Sequence, residues 1–233
     1  MKKLLLLIFL LIPCGAWAGS TATSGATASD FITEVRRDLA EASAGYWADA
    51  DLLQWIDEAV WEIVIRTGCL ESGASNVVLQ ENTRQYSISG SYLYVYAVEF
   101  DSGDTTSQKQ VYTLDRVDKR DIGHNQSKGN PQVYCVWNDT LEVWPIPRSD
   151  QSGTTLYVYL ADAPSGVTAT TSAIETPAYF DTAIKHYVKA RALDKDDQGE
   201  RSDRHMALFD NRVELYFRTV TKRGVEQLNV EGR

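Results

Sequence analysis

A chain of 233 residues has room for one domain or two small ones, and 43% hydrophobic with 24% charged residues is the make-up of a globular protein with a real core. The 15 Gly and 6 Pro exclude collagen-like or low-complexity architecture. A formal charge of −9 argues against gripping nucleic acid, since neutralising phosphates needs Lys and Arg, and suits a surface that DNA slides past.

Residues 1–18, MKKLLLLIFLLIPCGAWA, form a signal-like apolar leader with a basic start, an apolar run from Leu4 to Ile12, and Ala16-Trp17-Ala18 as a small-x-small cleavage signature. The run is short for a membrane span. It is compatible with cleavage, with retention, or with a misassigned start codon. Residues 19–29, GSTATSGATAS, are small and polar and predict a flexible lead-in.

From Asp30 the pattern becomes helical. Phe31, Val35 and Leu39 recur at four-residue steps, with Arg36, Arg37 and Asp38 expected outside. A second helix follows in YWADADLLQWIDEAVWEIVIRTG, with Asp49 placed to cap it, Asp51 in its first turn, and Arg66 and Gly68 closing it. Leu52, Ile56, Ala59, Val60, Ile63 and Val64 make one apolar face, and Leu53, Trp55, Trp61 and Ile65 widen it beyond a normal stripe. Such a helix packs against more than one partner.

Between residues 76 and 161 the period changes to two. NVVLQ, QYSISG, SYLYVYAVEF, KQVYTLDRV, QVYCVWN, TLEVWP and TTLYVYLA are candidate strands, and Asn138-Asp139 predicts a tight hairpin turn within VWNDTLEVW. After the loop PSGVTATTSAIET, Thr176-Pro177 starts a third helix with Phe180, Ile184, Tyr187 and Val188 inward. A fourth begins after Gly199, with Met206, Phe209, Val213, Tyr216 and Val220 inward. Residues 223–233 lack a pattern and predict an extended C-terminal tail. The expected fold is therefore α+β: a four-helix bundle formed by the N- and C-terminal helix pairs, 30–75 and 176–222, with an antiparallel β domain inserted at 76–161.

Catalytic signals are weak. His124 lies in the loop GHNQSKGNP, His186 among helix residues, and His205 after Ser202-Asp203-Arg204, where neighbours on one helical turn cannot line up as nucleophile, base and orienter. That SDRH run is expected to decorate the surface. Phosphate-cradling glycine loops and metal-ligand spacings are missing from the sequence, and Cys69 and Cys135 are expected to be buried free thiols. No enzyme, cofactor or metal is expected.

The joint order of elements resembles the head-to-tail connector (adaptor) proteins of tailed bacteriophages. It is carried by WADADLLQWIDEA after a short helix, LEVWPIP before YVYLADAP, and closing helices that begin TPAYFDTAIKHYVKARALDKDD, over about residues 30–222. The resemblance implies a ring, as a rule a dodecamer, that docks below the portal protein, extends the DNA channel and offers an attachment platform to a tail or nozzle protein. It implies a place in the virion neck, passage of DNA through the lumen without specific binding, and no stable membrane association. In such a ring a helix faces its own core on one side and a neighbour on the other, which makes Trp55 and Trp61 candidate interface residues. In the tail, Leu228 and Val230 are placed to fill pockets of the portal, and Lys222, Arg223 and Arg233 to meet acidic groups. The alternative is a secreted or periplasmic binding module with an aromatic-rich β face on SYLYVYAVEF and QVYCVWN, which the leader favours.

Overall fold

The computed structural model describes residues 23–41, 43–72, 75–102, 111–122 and 126–230. The leader, His124 and residues 231–233 lie outside the described residues. Residues 23–27, expected within a flexible lead-in, instead lie antiparallel to 172–177, with Ala28 N–H donating to Ser172 O at 2.9 Å and Ile174 N–H to Ala26 O at 3.0 Å.

Helix α1 runs over Ala28–Asp38 and starts two residues earlier than the periodicity suggests. The cause is a capping box: the Asp30 carboxylate accepts from both the Thr27 backbone N–H and the Thr27 hydroxyl, each at 2.8 Å. Helix α2 spans Asp49–Thr67 and ends on Gly68 at φ +61, as its sequence predicts. Its start differs. Asp49 is not the cap but the first helical residue, and its carboxylate is drawn to Arg36 at 2.6 Å. Arg36, expected on the outside of α1, is buried between Glu41, Asp49 and the Trp47 carbonyl, and locks the α1–α2 turn. Helix α3, Asp181–Lys195, follows a 3-10 turn at Ala178–Phe180, and α4 runs over Gly199–Val230. Residues 223–230, expected to be extended, therefore continue that helix.

The α+β class stands, but a four-helix bundle carrying one antiparallel β domain does not. The strands make two four-stranded sheets. In the first, β1 (Ser75–Val78), β8 (Thr155–Asp162), β3 (Tyr92–Asp101) and β4 (Val111–Thr113) lie in that order; in the second, β2 (Gln85–Ser87), β7 (Thr140–Trp144), β6 (Val133–Trp137) and β5 (Asp115–Arg116). The second is mixed, because β5 pairs parallel to β6. Physically, the run KQVYTLDRV cannot stay one strand: Leu114 turns into the core between the sheets, its N–H bonding Val98 O while the next N–H bonds Gln132 O. The chain thus changes sheets in the middle of an apparently continuous strand. Val98, Phe100, Leu156 and Val158 from one sheet and Tyr134, Leu141 and Val143 from the other share one core.

The helices also depart from a bundle of four equal members, because their lengths run from 11 residues in α1 to 32 in α4. Helices α2 and α3 pack face to face, α1 lies on both, α4 lies on both, and α1 and α4 share no extensive contact among the described residues. Leu52, Ile56, Ile63, Phe180, Ile184 and Phe209 form the centre of this core. Full burial of each aliphatic side chain contributes about 1.5–3 kcal/mol. Outside the core, ion pairs report the helix directions. Lys185–Glu34 (2.5 Å) and Lys189–Asp38 run in step along α3 and α1, so these two are parallel, whereas Arg191–Glu58 (3.4 Å) and Lys195–Asp51 (2.7 Å) run in opposite sense along α3 and α2.

Candidate functional site

The surfaces offered by α2 and α4 follow from their helical spacing. On α2 the line Leu52, Ile56, Ala59, Ile63 is buried, and about 180° away lies Gln54, Glu58, Trp61, Ile65, with Asp57 and Glu62 beside it. Trp61 is half-buried on this outward line and Ile65 is 57% exposed. Trp55, by contrast, is buried in the core of its own chain. On α4, Ser202, Phe209 and Val213 are buried, and Asp210 reaches Arg66 of α2 at 2.7 Å. About a third of a turn away, one flank carries Arg201, Arg204, Leu208, Arg212 and Leu215 at steps of three and four, with Leu208 40% and Leu215 58% exposed. This stripe was missed in the sequence, although its spacing complements the inward set Phe209, Val213 and Tyr216. Lys222, Arg223, Leu228 and Val230 fall on the last turns of α4, well separated along the helix from α2's Trp55 and Trp61, and Arg233 lies outside the described residues.

Beyond Tyr216 the fourth helix leaves its neighbours: Phe217, Arg218 and Thr219 are all exposed. From residue 217 to 230 the helix runs on for about 21 Å at 1.5 Å per residue. A second exposed feature is Trp137, 67% accessible beside the β6–β7 turn, where Asn138 and Asp139 take φ +49 and +56 as expected of a tight hairpin.

Groups with chemical potential are engaged elsewhere. His186 and His205, which the sequence places apart, meet across α3 and α4 with their Nδ1 atoms 3.1 Å apart. Burial, together with Lys185, Lys189 and Arg212 around one ring and Lys189, Arg201 and Arg204 around the other, holds both below the ordinary imidazole value. Ser202 does not decorate the surface; it is buried, and its hydroxyl donates to the Ala190 carbonyl at 2.9 Å. A cleft of about 340 Å³ on the outer face of the first sheet is lined by Glu71, Ser72, Tyr96, Glu99 and Tyr159. Its tyrosine hydroxyls are occupied, since Tyr96 donates to Gly68 O (2.6 Å) and Tyr159 to Glu99 (2.9 Å), whereas the buried Ser72 hydroxyl has no partner.

Glu142, buried in the second sheet, is held by Arg84 at 2.7 Å and by Lys119, a structural ion cluster. Cys135 is buried and Cys69 half-buried, both free, and burial pushes both thiols up and away from reactivity. Among the described residues no cluster of three metal-ligating side chains occurs, and no helix is long and apolar enough to cross a membrane. Among the described residues, large apolar side chains stand exposed on α2, on α4 and at a hairpin tip.

Comparison with curated proteins gives no match. The family model described as SU10 adaptor protein matches residues 26–229, from the strand-like lead-in to the end of α4, and the chain belongs to this family of phage structural adaptors.

Proposed function

We propose that the chain is a head-to-tail connector subunit: it forms a ring, as a rule a dodecamer, that docks on the portal protein, extends the DNA channel and gives the tail or nozzle protein its platform in the virion neck. Family membership over residues 26–229 is the observation that carries this. The end of α4 supplies a means of docking. Its last turns, with Lys222, Arg223, Leu228 and Val230, follow Tyr216, which packs on the helical core, and can lie in a groove of the portal as a helix, in the manner of an amphipathic segment on a partner. At −9 per subunit a ring is strongly acidic, and an acidic lumen lets DNA pass without sticking.

Negative-stain imaging of the protein with and without the portal of the same phage tests the ring. We expect monomers or loose oligomers alone and rings on the portal; a chain that binds no portal removes the reading. Deletion of residues 224–233 tests the arm. The truncated protein should fold normally by circular dichroism and fail to co-sediment with portal. Unchanged co-sedimentation would assign the contact to the rest of the helical unit.

A further inference from the structure

The outward stripes of α2 and α4 are opposite in character. On α4, Arg201, Arg204 and Arg212 have no carboxylate partner among the described residues: Arg201 bonds Gln198, and Arg212 lies over the Tyr179 ring. Leu208 lies between Arg204 and Arg212, and Leu215 one turn beyond Arg212; both are exposed. On α2 the outward surface holds Asp57, Glu58 and Glu62 around Trp61 and Ile65; Asp57 accepts from the Val167 N–H at 2.7 Å, Glu58 pairs with Arg191 at 3.4 Å, and Arg66 lies 3.7 Å from Glu62 but 2.7 Å from Asp210. The two stripes cannot meet within one chain. Helix α4 approaches α2 through Asp210, the side opposite Leu208, and the α4 stripe runs along the flank of the helix, with Arg201 and Arg204 near His205 and Arg212 near His186 of α3.

We propose that the two stripes pair between copies: the basic, leucine-bearing side of α4 on one subunit seats against the acidic side of α2 on the next. This rests on the ring reading above and names the surfaces that build it. The contact is heterologous, using two different patches of one chain, and contacts of that type close into rings when the rotation permits. Charge complementarity selects the partner. An isolated basic stripe on a chain of net charge −9 finds its complement most abundantly on another copy of that chain. Leu208 and Leu215 favour a protein partner over a phosphate backbone, which offers no apolar surface to receive them.

Charge exchange tests this with two variants. The first carries Arg201→Glu, Arg204→Glu and Arg212→Glu, leaving both stripes acidic. The second carries Gln54→Lys, Glu62→Lys and Ile65→Lys, none of them a member of an α2–α3 ion pair, so that three cations outweigh Asp57 and Glu58 and both stripes are basic. Each is examined by circular dichroism for folding and by negative stain on the portal for rings. Each alone should lose rings, because like charges meet at every junction, and an equal mixture should regain them by alternating the two. Rings formed by either variant alone as well as by the parent chain, or a mixture of folded variants that stays unassembled, would overturn the pairing while leaving the ring reading intact. A parent chain that forms no ring on the portal defeats the ring reading itself. Normal rings together with loss of duplex DNA binding in the first variant would assign the α4 stripe to nucleic acid and overturn the proposal. If the triple reversal unfolds α4, Arg204→Glu mixed with Glu62→Lys carries the same comparison.

Discussion

Gly68 joins the helical unit to the first sheet, and replacing it with Ala probes that junction. At φ +61 a Cβ costs about 1–2 kcal/mol, because it crowds the following carbonyl. The same Cβ would overlap the Tyr94 and Tyr96 hydroxyls, whose rings stack edge to face 4.8 Å apart. Yielding, the Tyr96 side chain gives up its 2.6 Å bond to the Gly68 carbonyl, a further loss of about 1 kcal/mol. The sum for Gly68→Ala is a destabilisation of about 2–3 kcal/mol, which for a chain of this size lowers Tm by about 4–12 °C. Urea unfolding followed by tryptophan fluorescence and by far-ultraviolet ellipticity measures it. The decisive comparison repeats the substitution in a Tyr94→Phe, Tyr96→Phe background, where the hydroxyls are gone and the backbone cost remains with a tight contact to the ring carbon Cζ of residue 94 at 3.1 Å. There Gly68→Ala should cost about 1 kcal/mol less, well above the additivity error of distant sites. Equal costs in the two backgrounds would refute the idea that the glycine is required by the approach of the tyrosines.

The His186–His205 pair makes stability depend on pH. Both rings are held below their ordinary value of 6.5 by burial and by the surrounding Lys and Arg side chains, with only Asp38 acting in the opposite sense on His205. The unfolded chain therefore binds more protons, so stability is complete above pH 6.5 and falls as pH drops below it; urea midpoints from pH 8 to 5 should show this slope, and His186→Gln with His205→Gln should flatten it. Phe209→Ala removes a ring buried against Tyr187, with the Arg66 guanidinium 5.7 Å from its centre, and should cost about 3–5 kcal/mol in the same unfolding assay. A loss below about 1 kcal/mol would show that α4 does not depend on that contact.

Much of this architecture is legible in local pattern. Phe31 and Val35, the buried line of α2, Gly68 and the Asn138-Asp139 turn each depend on neighbours a few residues away, and their periodicity or backbone preference states them directly. What escaped depends on distant partners. Arg36 looks like a surface cation until Glu41, Asp49 and the Trp47 carbonyl close around it. Leu114 reads as one more strand residue because nothing beside it announces that the pairing partners change from β3 to β6. His186 and His205 lie on separate helices, and only the α3–α4 turn brings them together. Of the candidate site, Trp61 and Ile65 were visible as apolar residues off the main face of α2. The α4 stripe is mostly charged, and charged positions on a helix carry no signal until the buried side is known.

The sheet pairing also governs how this chain is made. The buried line of α2 needs Phe180, Ile184 and Phe209, which are translated more than a hundred residues after Leu52. At about 5–20 residues per second that is an interval on the order of ten seconds, during which an apolar helix has only α1 as a partner. Once β1 and β8 join, the Asp162 N–H bonds the Leu70 carbonyl at 2.8 Å and the Ser72 N–H bonds the Leu160 carbonyl at 3.2 Å, just past the end of α2. The return point of the nascent chain is then fixed beside the waiting helix, and the long loop-closure search is replaced by a short one. Closure of the β unit is in this sense the step that shields α2, and any delay in it prolongs the time in which newly made chains can associate through that helix.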